Sequence, residues 1–124
     1  MKGQLRLLNG RKLRSPSSLE TRPTTARVRE ALINLLGDKL LNCNWLDLFS
    51  GSGVVSCEAI QKGARIVVAV EKDKKTADIC KSNLLCSTEG ISGQRSIKVF
   101  SNDVIWFLKK GFKSLKLKGL EIEA

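Results

Sequence analysis

The order of apolar and polar positions from residue 44 onward predicts three strands, each followed by a helix. Runs of apolar and often β-branched residues predict strands at Trp45–Phe49, Ile66–Val70 and Ile97–Ser101. Helical spacing of apolar residues predicts helices at 54–62, 73–87 and 103–110. A repeated strand–helix order is typical of a parallel sheet that carries helices on its faces. We therefore expect an α/β fold.

One more helix is predicted ahead of the strands, running from Thr24 or Thr25, either of which can cap it, to about Leu36. Its expected buried stripe has the spacing i, i+4, i+7 and consists of Val28, Leu32 and Leu35. Two arginines, Arg27 and Arg29, fall largely off this stripe and are expected to face solvent.

Residues 1–22 are predicted to form a basic arm. The dipeptide Asn9-Gly10 is a strong turn signal, and residues 15–18 are Ser-Pro-Ser-Ser, so the arm is expected to be irregular or hairpin-like. We divide the chain into an N-terminal arm and helix, residues 1–40, and an α/β portion, residues 41–124.

Charge is distributed unevenly along the 124 residues, which carry 22 Lys and Arg against 12 Asp and Glu, a formal net charge of +10. Eight of the basic residues but just two of the acids fall within residues 1–36, and lysines at 109, 110, 113, 116 and 118 form a second cluster. Such clusters favour nucleic acid as a partner over a surface that serves solubility alone. Any affinity for RNA phosphates should then fall steeply with salt.

Several classes of site are excluded by composition. The sequence has no His, which excludes a Ser-His-Asp triad, a Cys-His dyad and a His-ligated metal. The four cysteines form no CxxC pair and match no zinc spacing, so we expect reduced thiols, no metal and a cytoplasmic location. Since no apolar run exceeds five residues, no membrane partner is expected.

The most informative segment is the glycine turn Gly51-Ser52-Gly53, directly after the first strand. Residues without a Cβ allow a ligand to approach the backbone closely before the next helix begins. Three acids follow or end the three strands, namely Asp47, Glu71 and Asp103. Ligands of parallel sheets bind at the carboxyl ends of the strands, so these acids are candidate ligand-binding residues. Asp103 could equally cap the helix that follows it.

The acids also bear on which nucleoside is bound. Glu71 can accept hydrogen bonds from both hydroxyls of a ribose, as acids do in dinucleotide folds. Asp47 would repel a pyrophosphate but suits the sulfonium and ammonium groups of S-adenosylmethionine. Ser56 stands at the position of the third glycine of a dinucleotide fingerprint, and together with Asp47 it argues against NAD.

Two segments carry a family resemblance. Leu46–Gly53 (LDLFSGSG) with Val70–Asp73 (VEKD) resembles class I S-adenosylmethionine-dependent methyltransferases. TRPT at 21–24 followed by VREAL at 28–32 resembles the N-terminal signature of the bacterial 16S rRNA guanine-N2 methyltransferase family. The resemblance implies a Rossmann-like, doubly wound parallel sheet, of which this chain contains the N-terminal half with about three strands. It also implies methyl transfer to a guanine of rRNA, free or in a partly assembled small ribosomal subunit.

The same resemblance implies roles for individual residues. Asp47, Gly51 and Gly53 would border the methionine part of the cofactor, Glu71 would hold the ribose and Asp103 the adenine. Phe49 belongs to the same cofactor-binding set. The candidate RNA contacts are Arg6, Arg11, Lys12, Arg14, Arg22, Arg27 and Arg29. Ser56 stands where relatives often have Gly.

The family's catalytic motif, an Asp/Asn-Pro-Pro-aromatic segment after the fourth strand, is absent. The two prolines, Pro16 and Pro23, are not adjacent, and the sequence has no Tyr. We therefore expect the N-terminal portion of a longer enzyme, with no catalytic residues of its own. In the family the fourth strand pairs with the first, so Trp45–Phe49 should form an exposed apolar edge, and the isolated chain should be poorly soluble or marginally folded.

Two alternatives to an enzyme portion stay open: a non-catalytic RNA-binding module that kept the cofactor fold, and, against the evidence of Asp47 and Ser56, an NAD-type protein. Trp106 and Phe107 are expected to pack on the sheet rather than to face RNA.

Overall fold

The structure, a computed structural model, describes residues 4–16 and 24–111 and contains a three-stranded parallel sheet in the order β1-β2-β3. The strands are β1 (Asn44–Asp47), β2 (Ile66–Val70) and β3 (Ser96–Phe100). The helices are α1 (Ala26–Leu36), α2 (Val54–Gln61), α3 (Lys74–Ser87) and α4 (Val104–Trp106). A 3-10 turn, Gly37–Leu40, follows α1, and a π-helical turn, Phe107–Gly111, follows α4. The predicted α/β class and element order are confirmed.

The central strand β2 separates two apolar layers. Val67 and Ala69 lie in a core shared with α2 and α3, whereas Val68 and Val70 pack with Phe107 on the opposite face. All four of these β2 residues are buried, as expected for a strand covered on both sides. The sheet therefore carries helices on both faces, as in a doubly wound fold.

The predicted orientation of α1 is wrong for two of the three stripe residues, and the third, Leu32, is half-buried. Val28 and Leu35 are 54% and 81% exposed, and the buried positions are instead Arg29 and Ile33. The helix begins after Thr25, whose side chain accepts a hydrogen bond from the Val28 amide, as predicted. The buried stripe is thus shifted by one residue toward a charged side chain, which the apolar pattern had placed at the surface.

A buried ion pair explains this shift. Arg29 is 4% exposed, and its Nε lies 3.0 Å from Oε2 of Glu58, itself 3% exposed on α2. Arg29 also donates to the carbonyl oxygens of Thr24 and Arg6, and Glu58 accepts the Leu8 amide at 2.8 Å. Because every charge in this pair has hydrogen-bond partners, the pair can be accommodated in the interior.

The N-terminal segment is a hairpin that belongs to the core. Arg6 and Lys12 form an antiparallel bridge, and Gly10 (φ 93°) occupies the predicted turn. The three buried leucines of this hairpin lie in the same core as α2 and β2; they are Leu5, Leu7 and Leu13. Asn83 of α3 holds the end of the hairpin, accepting from the Arg14 amide at 2.8 Å and donating to the Arg14 carbonyl at 2.9 Å.

Strand β1 lies at one edge of the sheet, with no partner on its outer side among the described residues.

Phe107 is buried under the sheet as predicted, whereas Trp106 is 46% exposed, so the prediction holds for one ring of the two. No helix within 4–16 and 24–111 has the length and apolarity needed to cross a membrane. Four basic residues named above lie outside the described residues: Arg22, Lys113, Lys116 and Lys118.

Candidate functional site

Three acidic residues lie at or beyond the carboxyl ends of the three strands. The strands are parallel, with Asp47 in register with Ala69 and Val70 in register with Phe100. Asp47 therefore ends β1, Glu71 directly follows β2, and Asp103 comes three residues after β3. The sheet topology therefore places the three acids on the side of the sheet where the strands have their carboxyl ends, and ligands of such sheets bind on that side.

The loop between β1 and α2 turns tightly above the end of β2. The Ser50 amide donates to the Val70 carbonyl at 3.0 Å, and the Gly53 amide donates to the Ser50 carbonyl at 2.7 Å. Gly51 and Gly53 have φ angles of 52° and 84°, which residues with a side chain rarely adopt. Both predicted glycines thus meet a backbone requirement of the turn.

Gly53 also meets a packing requirement that the sequence did not reveal. A Cβ at this position would lie 2.8 Å from the Sγ atom of Cys80, a fully buried residue of α3. The missing side chain therefore lets the start of α2 approach α3. Space for a ligand, expected at this glycine from the sequence, would be compatible with this packing role.

Asp47 is a half-buried carboxylate held by two hydrogen bonds. Its Oδ2 accepts from the Ser56 hydroxyl at 2.9 Å, and its Oδ1 accepts from the Phe49 amide at 3.2 Å. Burial raises the pKa of Asp47 above its usual value, against the lowering effect of these two bonds. A cationic ligand would stabilise the ionised form of such a desolvated carboxylate.

The strand register places Glu71 two residues beyond Ala69, the partner of Asp47, and its negative charge adds to the rise of the Asp47 pKa. The Oε2 atom of Glu71 accepts the Asp73 amide at 2.7 Å, which orients the carboxylate at the end of β2. The same two charges also affect the thiol of Cys80. Burial raises the pKa of Cys80 to about 11, and the charges of Asp47 and Glu71 contribute to the rise. The parallel register thus places Asp47 and Glu71 at neighbouring strand ends.

Asp103 is the N-cap of α4. Its Oδ1 accepts from the amides of Ile105 at 2.9 Å and Trp106 at 3.1 Å. The capping alternative considered for this residue is therefore realised, and a role toward an adenine would have to be additional. Phe49, the remaining member of the predicted cofactor set, is 81% exposed in the glycine loop.

The predicted RNA contacts divide by exposure. Four of them are exposed: Arg6, Lys12, Arg14 and Arg27. Arg11 is half-buried and donates to the carbonyls of Cys86 at 2.6 Å and Glu89 at 3.3 Å, so it ties the hairpin to the end of α3. Arg29 is a correction: its buried ion pair with Glu58 removes it from any surface that could meet RNA.

Sequence reasoning missed two features of the site region. Ser56 was noted as a departure from glycine, but its fully buried hydroxyl contacts both Asp47 and the indole of Trp45. Glu58 was overlooked, although a lone acid in the apolar helix VVSCEAIQ is a signal for a buried partner.

Other parts of the described chain contribute no competing centre. A hollow of about 370 Å³ lies at the amino ends of β2 and β3, opposite the candidate site, and is lined by Arg65, Ile66, Gln94, Arg95 and Ser96. The four cysteines are free thiols, and within 4–16 and 24–111 no group of three or more acids and cysteines could hold a metal.

Parallel strands with flanking helices, and a glycine turn between the first strand and its helix, define part of a Rossmann-like methyltransferase fold. The chain belongs to the family described as conserved hypothetical protein 95, which matches residues 3–114.

Among curated relatives, the ribosomal RNA small subunit methyltransferase D of Escherichia coli K12 is 34% identical over 113 residues, which cover 88% of this chain and 55% of that protein. The protein of the same name from Haemophilus influenzae is 39% identical over 95 residues, covering 71% and 49%. The solved Escherichia coli protein yhhF has a TM-score of 0.71 at 31% identity, covering 86% of this chain and 56% of that one.

These relatives confirm the resemblance stated from the sequence. The chain spans about half the length of the curated relatives it matches, in agreement with a partial domain.

Proposed function

We propose that this chain is the cofactor-binding portion of an S-adenosylmethionine-dependent rRNA methyltransferase. The observation that carries the proposal is the position of two carboxylates, Asp47 and Glu71, at neighbouring strand ends beside a glycine turn. The names of the relatives support rRNA methylation as the class of reaction.

The residues present fit this cofactor. Two neighbouring carboxylates, one of them partly desolvated, suit a ligand with positive charge and ribose hydroxyls. Asp47 would face the cationic methionine part, and Glu71 would accept the ribose hydroxyls. Gly51 and Gly53 would leave space for the ligand at the turn, and Asp103 would offer an acceptor to the adenine. When bound, S-adenosylmethionine supplies the methyl group.

A nicotinamide dinucleotide is disfavoured at this site. Its pyrophosphate would meet the carboxylate of Asp47, which repels a phosphate, whereas an acid at the position of Glu71 is compatible with either ligand. The position of the third fingerprint glycine is filled by Ser56, whose hydroxyl is bonded to Asp47. The charges of the site therefore favour a cationic nucleoside.

The finer proposal concerns the substrate. We infer guanine N2 of small-subunit rRNA as the methyl acceptor, on the basis of the TRPT and VREAL segments. The exposed cations Arg6, Lys12, Arg14 and Arg27 would contact RNA phosphates. Because the Pro-Pro-aromatic motif does not occur in the sequence, we expect cofactor and RNA binding from these 124 residues but no methyl transfer.

Calorimetric titration of the purified chain with S-adenosylmethionine, S-adenosylhomocysteine and NAD tests the proposal. We expect both adenosyl ligands to bind and NAD not to bind. Asp47→Asn and Glu71→Gln should each weaken binding by roughly tenfold or more, as expected for loss of a charge-assisted bond.

Asp78→Asn is the matched control, since it removes an exposed acid of α3 that pairs with Lys74 rather than with the site. Preferential binding of NAD, or unchanged affinity for S-adenosylhomocysteine in both site variants, would refute the proposed function. RNA binding without nucleoside binding would favour the non-catalytic module.

A further inference from the structure

Ser56 occupies a position in the site region to which no role has been assigned. It lies on the first turn of α2, three residues after Gly53, and is fully buried. Its hydroxyl is 2.9 Å from Oδ2 of Asp47 and 3.2 Å from the indole nitrogen of Trp45. One side chain thus contacts both β1 and the acid at the end of that strand.

The direction of the proton in this chain of bonds is fixed by chemistry. The Trp45 indole N–H can donate but cannot accept, so it donates to the Ser56 oxygen. The Ser56 hydroxyl proton is then free to point at Asp47, which accepts while it is ionised. The order is therefore Trp45 to Ser56 to Asp47.

We propose that Ser56, aimed by Trp45, is a positioning residue that fixes the rotamer of Asp47 and keeps this carboxylate ionised for the cationic part of the nucleoside. This inference rests on the proposed function and deepens it. With Oδ1 held by the Phe49 amide and Oδ2 by Ser56, both oxygens of Asp47 have fixed partners. These two hydrogen bonds therefore oppose rotation of the carboxylate when a ligand approaches.

The pH dependence of binding follows from the groups around Asp47. Burial and the charge of Glu71 raise the Asp47 pKa, and the bonds from Ser56 and the Phe49 amide lower it. Cys80, on α3, is the other titratable neighbour, and its pKa of about 11 keeps it neutral at physiological pH. Loss of the Ser56 hydroxyl should raise the Asp47 pKa, so affinity should be lost at a higher pH during acidification.

The experiment compares Ser56→Ala with Ser87→Ala in the full chain. Ser87 is an equally buried serine, on α3, whose hydroxyl donates to the Asn83 carbonyl rather than to the site. Calorimetric titration with S-adenosylmethionine is run across the acidic range. We expect Ser56→Ala to weaken binding by roughly three- to tenfold at neutral pH, the size of one lost hydrogen bond, and to move the acidic loss of affinity to higher pH.

Trp45→Phe is the second variant, and it keeps the hydroxyl while removing the N–H that aims it. We expect the acidic loss of affinity to move to higher pH in this variant too, but by less than in Ser56→Ala. This variant also decides the matter if Ser56→Ala does not fold. Ser87→Ala should leave both affinity and its pH profile unchanged.

Two outcomes of the comparison between the serine variants would overturn the inference. One is that Ser56→Ala binds S-adenosylmethionine more weakly at every pH but loses affinity at the same acidic pH as the wild type. That result would indicate a structural loss alone. The other is an equal shift in Ser87→Ala.

Failure of the proposed function is recognised separately. If the wild-type chain binds neither S-adenosylmethionine nor S-adenosylhomocysteine, the proposed cofactor is wrong, and the positioning role that depends on it is wrong too. Binding that is intact in wild type and insensitive to Ser56→Ala and Trp45→Phe rejects the positioning role alone.

Discussion

Gly53 is constrained both by its own backbone and by a residue on another helix. Its φ of 84° disfavours any side chain, and a Cβ would approach the buried Cys80 sulfur to 2.8 Å. We expect Gly53→Ala to lower the free energy of unfolding by about 2–4 kcal/mol, combining left-handed strain with overpacking. Chemical denaturation with an unchanged m-value measures this loss.

Gly10→Ala separates the two contributions. Gly10 has a similar φ of 93° but nothing within 4 Å of the added Cβ, so its cost should be strain alone, about 1–2 kcal/mol. Cys80→Ala in the Gly53→Ala background should recover part of the difference. Equal losses at the two glycines would show that the Cys80 contact has no energetic weight.

At this scale the sequence predicted the position of the two site glycines and of the acids, because strand ends and turn residues are local signals. It did not predict the close packing of Gly53 against Cys80, since Cys80 is 27 residues further along and the contact depends on how α2 packs against α3. For the same reason it missed the hydrogen bond from Ser56 to Asp47, which depends on which side of α2 packs against β1.

Helix α1 shows how an element can be located correctly and oriented wrongly. Its span and a cap at Thr24 or Thr25 follow from local signals, and the structure has the helix at Ala26–Leu36 with Thr25 as its cap. Its buried face was chosen by counting apolar residues, and that criterion assigns every arginine to solvent. Arg29 is nevertheless buried because Glu58 of α2 supplies its counter-charge, a partner that no pattern within α1 contains.

The pairing of α1 with α2 yields a prediction at the scale of elements. Arg29→Met leaves the Glu58 carboxylate buried without its partner, so we expect a loss of about 3–5 kcal/mol in the free energy of unfolding. Thermal or urea denaturation at pH 7 measures it.

Arg27→Met is the control, because Arg27 is exposed on the same helix and its replacement should change stability by less than about 0.5 kcal/mol. The double variant Arg29→Met, Glu58→Leu should regain part of the loss, since both charges are then gone. If Arg29→Met reduced RNA affinity without any change in stability, the structural role of Arg29 would be wrong.

For the whole molecule, strand–helix periodicity was sufficient to predict the class and the element order, because a central strand such as β2 must be apolar throughout. The sequence also predicted β1 as an edge strand of the sheet, although among the described residues the strand is half-buried rather than fully exposed. Strand β1 has no outer partner among the described residues, and the loop after it presents Phe49 at 81% exposure. Exposed strand edges with neighbouring apolar side chains promote association between chains.

We therefore expect the 124-residue chain to self-associate with rising concentration through this edge. Phe49→Lys should shift the population toward monomer, since it replaces an exposed apolar ring beside the edge strand with a charge. Leu35→Lys is the matched control, because Leu35 has the same 81% exposure but lies on α1. Light scattering over a concentration series measures the change, and an equal effect of the two variants would point to general charge rather than to the edge.

The place of the hairpin in the core has a consequence for the order of events during synthesis. Arg14 is held by Asn83, 69 residues later in the chain, and Leu8 by Glu58, 50 residues later. At translation rates of about 5–20 residues per second, the hairpin leaves the ribosome roughly 4–14 s before the helix that anchors its end exists. Its leucines thus stay without their native neighbours for seconds, in which a nascent-chain chaperone could bind them.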